Sequence, residues 1–78
     1  PELNDSAEIL FKQALKLDSN YAPAWAGLGD VFAQRFGRFN QEFFWTDSSL
    51  AAGNQAVQID SNLSEAYKTI ATAYDYRD

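Results

Sequence analysis

Apolar and small residues recur at helical spacing in four stretches of the chain. The clearest is Trp25 to Phe32, where Trp25, Leu28, Gly29 and Phe32 sit at i, i+3, i+4 and i+7 and share one helix face. Trp25 and Phe32 supply bulk, and Gly29 removes it midway, so a neighbouring helix can approach the backbone there. That reading predicts that Gly29→Ala is mild and that Gly29→Leu is strongly destabilising. Ala7, Phe11 and Ala14 mark an earlier helix, predicted over 5–17, with Asp5 as cap and Glu8 completing a capping box. Pro23 suits the first turn of the central helix, which runs to about Arg35 with Gly37 as its C-terminal cap. A last helix is predicted from Glu65 to Arg77 with Ser64 as cap. Between the last two lies a less regular segment. Asn40 could cap a helix from Gln41 to Ile59, or the helix could begin at Ser48. The repeated Asp-Ser pair favours the shorter helix. The spacing of Trp45, Ser49, Ala52, Gly53 and Ala56 favours the longer, which is preferred.

The chain echoes itself at an offset of 42 residues. Asp5-Ser6 recurs as Asp47-Ser48, Gln13-Ala14 as Gln55-Ala56, and Leu17-Asp18-Ser19-Asn20 as Ile59-Asp60-Ser61-Asn62. Ala24-Trp25 recurs as Ala66-Tyr67, and Leu28, Gly29 and Phe32 as Ile70, Ala71 and Tyr74. An offset of this size also occurs in armadillo-type repeats and propeller blades, but the content points elsewhere. The stretch Trp25–Phe32 resembles the Trp-x2-Leu-Gly-x2-aromatic first-helix signature of the tetratricopeptide repeat. Ala7, Phe11 and Ala14 match that family's second-helix pattern. A unit of that family has about 34 residues, so this chain resembles a variant with an eight-residue insertion, placed at about 38–47. Sel1-like repeats, with a longer inter-helix loop, are the nearest alternative, but their Gly-rich junction is absent. The longer linker is also similar to repeats found beside bacterial signalling and transcription-control domains, nucleotide cyclases among them.

The resemblance implies an all-α fold of about four antiparallel helices over residues 1–78. These are the second helix of a truncated repeat (5–17), a complete repeat (22–60) and the first helix of a following one (64–77). The chain thus reads as a piece of a longer protein. Its two turns carry Ser19 and Ser61 where the family usually has Pro. Because such arrays bury their apolar faces only between neighbours, a fragment should be marginal or should pair with another copy.

Composition narrows the chemistry. Six basic and eleven acidic residues give a net charge of −5, which argues against nucleic-acid and anionic-membrane partners. The absence of Cys and His removes thiolate chemistry and the commonest general base and metal ligand. Asp30 and Asp75 read as solvated acids, and Asp18 and Asp60 as Asx-turn residues. Asp18-Ser19-Asn20 resembles the start of a calcium loop but lacks its Gly and distant Glu. Gly27 and Gly29 lie inside a helix, so no phosphate loop is present. No catalytic, cofactor or metal residues are expected, and no signal or membrane-spanning segment is visible, which points to a cytoplasmic setting.

The resemblance implies instead a protein-interaction scaffold whose first helices line a concave groove for a peptide or helix. The groove residues would be Asp30, Ala33, Gln34, Glu65, Lys68, Thr69, Thr72 and Asp75. In chaperone-binding members Lys and Asn at fixed first-helix positions clamp a C-terminal carboxylate. Ala26, Asp30, Lys68 and Thr72 stand at the equivalent places, and Lys68 alone has that character, so an acidic C-terminal tail is not the expected ligand. A basic or polar protein segment suits the groove better. The alternative is a structural or oligomerisation element. Phe36, Phe39, Phe43, Phe44 and Trp45 place five aromatics within ten residues. Phe39, Phe43, Phe44 and Trp45 form its candidate interface patch. Gly53 stands where the earlier helix has Phe11, so Trp45 or Phe43 is expected to fold back into the space at Gly53.

Overall fold

The computed structural model describes residues 2–38 and 43–77, and the side chains of 4–36 and 44–76. These residues form four helices: α1 (Glu2–Leu17), α2 (Ala22–Arg38), α3 (Phe43–Ile59) and α4 (Ser64–Arg77). The fold is all-α, with no strand among the described residues, and is consistent with a helical-repeat arrangement. No helix is long and apolar enough to cross a membrane among the described residues. The proposed cap Asn40, the start at Gln41 and Phe39 lie outside the described residues, as does the side chain of Phe43.

Helices adjacent in sequence run antiparallel. Asn4 near the start of α1 bonds Val31 and Gln34 late in α2, and the early α2 residues Ala22 and Ala26 share a cluster with Ala56 late in α3. By contrast α2 and α4 lie side by side in the same direction, with Ala26 near Thr69 and the tilted rings of Phe36 and Tyr76 5.4 Å apart. The α2–α3–α4 core is built from small side chains: Ala22, Ala26, Ala33, Ala52, Ala56, Ala66 and Ala73 are all buried. Small side chains bring helix backbones close, and Trp25, Val57, Ile59 and Leu63 close the end of this core. Among the described residues α1 packs on α2 alone.

The 42-residue repeat is reproduced bond for bond at the two turns. Asp18 N–H donates to Ala14 C=O, and Asp60 N–H to Ala56 C=O. The Asp18 and Asp60 carboxylates each accept from the backbone N–H two residues on, at 3.0 Å, which are the predicted Asx turns. The Trp25 indole N–H donates to Ser19 C=O, and the Tyr67 hydroxyl to Ser61 C=O. Each turn is therefore locked from the following helix by an aromatic polar atom.

Three helix ends differ from the sequence reading. α1 begins at Glu2, so Asp5 lies within it and caps nothing; its carboxylate accepts from Arg35 instead. Gly37 is inside α2, which continues to Arg38. The Ser64 hydroxyl donates to the Glu65 carboxylate, and the first turn of α4 is closed by Leu63 C=O accepting from Ala66 N–H. Within the segment 38–47, Arg38 closes α2 and residues 43–47 open α3. The start at Phe43 is close to the longer alternative.

Candidate functional site

Two features carry the polar chemistry: a cleft between α1 and α2, and the exposed row along α2 and α4. The cleft has a volume of about 430 Å³ and is lined by Asn4, Ala7, Phe11, Gly27, Asp30, Val31 and Gln34. Its floor exists because Gly27 has no side chain. The Phe11 ring occupies the position where a Cβ on residue 27 would stand. Asn4 fixes one wall, donating to Val31 C=O at 3.2 Å and to the Gln34 side-chain oxygen at 3.1 Å.

Behind that wall lies a buried cation. Arg35 Nε donates to Asn4 Oδ1 at 2.6 Å, and its Nη2 reaches Asp5 at 2.9 Å and Glu8 at 2.6 Å. Its guanidinium carbon stands 5.2 Å from the Trp45 ring centroid and 5.9 Å from that of Phe32, within cation–π range. Trp45 also stacks on Phe32 with centroids 6.2 Å apart. Arg35 thus ties α1 to α2 and to the start of α3. Lys12, bonded to Glu8 at 2.6 Å, and then Arg35 hold the Glu8 carboxyl below its ordinary value, against a partial burial that acts the other way. A sequence reading that assigned Asp5 and Glu8 to a local cap missed this cluster. The visible signal was an acidic i, i+3 pair on α1 and one Arg between Phe32 and Phe36 on α2.

The groove residues separate into two sets. Gln34, Glu65, Lys68, Thr72 and Asp75 are exposed, and so is Asp30. Ala33 and Thr69 are buried and do not belong to a groove surface. Ala33 is core. Thr69 sits where α4 crosses α2: its Oγ1 lies 2.6 Å from Asp30 Oδ1, 3.0 Å from Glu65 C=O and 3.2 Å from Ala26 C=O. A hydroxyl has one proton, and the short bond to the carboxylate is the strongest of the three. Asp30 therefore braces the α2–α4 crossing from the exposed side. Thr72 donates to Lys68 C=O in its own helix.

The aromatic patch divides as well. Phe44 is 48% exposed and lies against Trp45, with ring centroids 4.4 Å apart. Trp45 is half-buried between Phe32 and Arg35 and does not enter the space at Gly53. That space belongs to α4: a Cβ on Gly53 would meet Ile70 Cγ1 at 2.8 Å. The helix-to-helix approach had already closed the gap that an aromatic was expected to fill. Among the described residues no group of three or more acidic side chains is placed to hold a metal ion.

Compared with family models, curated proteins and solved structures, the chain matches none.

Proposed function

We propose that the chain is a tetratricopeptide-like helical-repeat fragment that binds a peptide or helix of another protein along the exposed faces of α2 and α4. The repeat reading is supported by the two turns whose hydrogen bonds coincide at the 42-residue offset. The observation that carries the binding reading is the open cleft bordered by Asp30 and Gln34, beside an α4 face that presents Glu65, Lys68, Thr72 and Asp75 to solvent. Three acids and one cation, on a chain of net charge −5, favour a basic or polar segment.

The test is selection of peptides on the purified chain from a displayed library, followed by titration against the triple variant Lys68→Ala, Thr72→Ala, Asp75→Ala. All three side chains are exposed, so the variant should keep its stability to within about 0.5 kcal/mol per site and bind the selected peptides at least tenfold more weakly. Equal affinity for both proteins would refute the groove.

A further inference from the structure

We infer that Asp30 is the acid of the exposed α2–α4 face that takes a basic side chain of the bound segment, and that the buried Thr69 hydroxyl positions its carboxylate for that contact. The inference rests on the peptide-binding reading above and adds to it the anchoring acid, the ligand group it takes and the residue behind it.

That face carries three acids, Asp30, Glu65 and Asp75, all of them exposed. They differ in what holds them. Asp30 Oδ1 accepts from Thr69 Oγ1 at 2.6 Å. Thr69 is fully buried, so water does not compete for its hydroxyl, and β-branching keeps its side chain from swinging away. Glu65 has the longer side chain, and its carboxylate accepts from the exposed Ser64 hydroxyl at 3.2 Å. Asp75 has no side-chain bond among the described residues. Immobilising a side chain on association costs affinity, so a carboxylate that the fold already holds gives up less when a partner arrives.

The charge on Asp30 is also uncompensated. Its other oxygen, Oδ2, has no hydrogen-bond partner, and the residue is in no ion pair among the described residues. Its neighbours one turn away on α2, Ala26 and Gln34, are neutral. The one cation of that helix turn, Arg35, is directed toward α1 and the start of α3 and is spent on Asn4, Asp5 and Glu8. Asp30 is thus fixed in place, unneutralised and open to the cleft that it borders. An ammonium or guanidinium complements such a carboxylate, through a charge-assisted bond about twice as strong as a neutral one. Thr69 touches no ligand in this arrangement; it acts through Asp30. The hydroxyl has a second acceptor in Glu65 C=O at 3.0 Å, so replacing Asp30 does not strand a buried donor.

The probes are peptides selected on the wild-type chain from the displayed library. They should share a Lys or Arg, and replacing it by Gln should weaken binding by about tenfold or more. Exchanging Lys and Arg in the same peptide identifies the head group the site prefers. Asp30→Asn should bind the parent peptide and its Gln version equally. Thr69→Val keeps the branched shape and removes the hydroxyl. It should weaken the parent peptide roughly threefold to tenfold and leave the Gln version unchanged. Thr69→Ser keeps the hydroxyl and should bind as wild type does. A general disturbance of the α2–α4 crossing would weaken both peptides alike, so the cycle separates positioning from packing. If Thr69→Val does not fold, as judged by circular dichroism, Thr69→Ala replaces it. Selected peptides with no shared basic residue, or with one to which Asp30→Asn makes no difference, overturn the inference and leave the groove standing. So does a Thr69→Val variant that binds as wild type or weakens both peptides alike. If the library yields no peptide, the peptide-binding reading fails and this inference falls with it.

Discussion

Gly29 on α2 faces Thr69 on α4 so closely that a Cβ on residue 29 would stand 2.5 Å from Thr69 Cγ2. Thr69 cannot easily yield. It is β-branched and fully buried, and its hydroxyl is bonded to Asp30. The Ser49 carbonyl oxygen, 3.1 Å away, is backbone. Gly29→Ala is therefore not mild, contrary to the reading from Ala71 at the equivalent position, because Ala71 is exposed and meets no such neighbour. Overpacking of this kind costs about 1–3 kcal/mol, and thermal melting should show a loss of that size for Gly29→Ala. Thr69→Ser removes Cγ2 and keeps the hydroxyl, so adding it to Gly29→Ala should recover most of the loss. Additive effects of the two substitutions would show that the contact is not the cause.

Arg35 is the principal polar tie of α1, a helix that among the described residues packs on α2 alone. Arg35→Ala leaves Asn4 Oδ1 without its donor and frees two carboxylates. The Asp5 side chain is 66% exposed and that of Glu8 20%, so both can hydrate in part. The loss should then fall below the about 3–5 kcal/mol typical of breaking a fully buried pair, at roughly 2–3 kcal/mol. Amide hydrogen exchange locates it: protection should drop in α1 and persist in α2–α4. Uniform loss across all four helices would mean that the domain opens as one unit.

What the sequence discloses and what it conceals divide by distance along the chain. The two Asx turns are settled within two residues, so Asp18 and Asp60 suffice to find them, whereas the aromatic locks six residues on, at Trp25 and Tyr67, are not read from the sequence. The helix stripes are likewise local. Arg35 meets Asn4 and Asp5 across 31 and 30 residues, and no local rule ranks that pairing above a capping box. The contents of the space at Gly53 depend on how near α4 comes, which is fixed by Ala66, Thr69 and Ile70 together. Burial sorts the groove in the same way: Thr69 and Thr72 look alike in sequence, but only Thr72 faces solvent.

Glu8 links stability to pH. Its carboxyl titrates below the ordinary 4.5, chiefly through Lys12 and then Arg35. A depressed carboxyl stabilises the fold above the ordinary value and loses that contribution as pH falls through the folded value. The difference in melting temperature between wild type and Glu8→Gln should therefore be constant above about pH 5.5 and shrink as the solution is acidified below 4.5. Because other carboxylates titrate in the same range, only the difference between the two proteins isolates Glu8. A difference that stays constant into strong acid would show that Glu8 acts by packing and not by charge.

Ser49 is fully buried, and its hydroxyl has no hydrogen-bond partner among the described residues. The equivalent position on α1 is Ala7, which lies in the open cleft. Beneath α2 the hydroxyl has lost water and gained nothing in return, at a cost of about 1–3 kcal/mol. Removing it exposes no new polar atom and leaves a void smaller than a methyl group, a minor offset. Alanine also has the better helix propensity by a few tenths of a kcal/mol. Ser49→Ala should thus raise stability by roughly 1 kcal/mol, several degrees in the melting temperature of a domain this small. Chemical denaturation should show the midpoint rising at an unchanged slope. A lowered midpoint would mean that a buried water satisfies the hydroxyl.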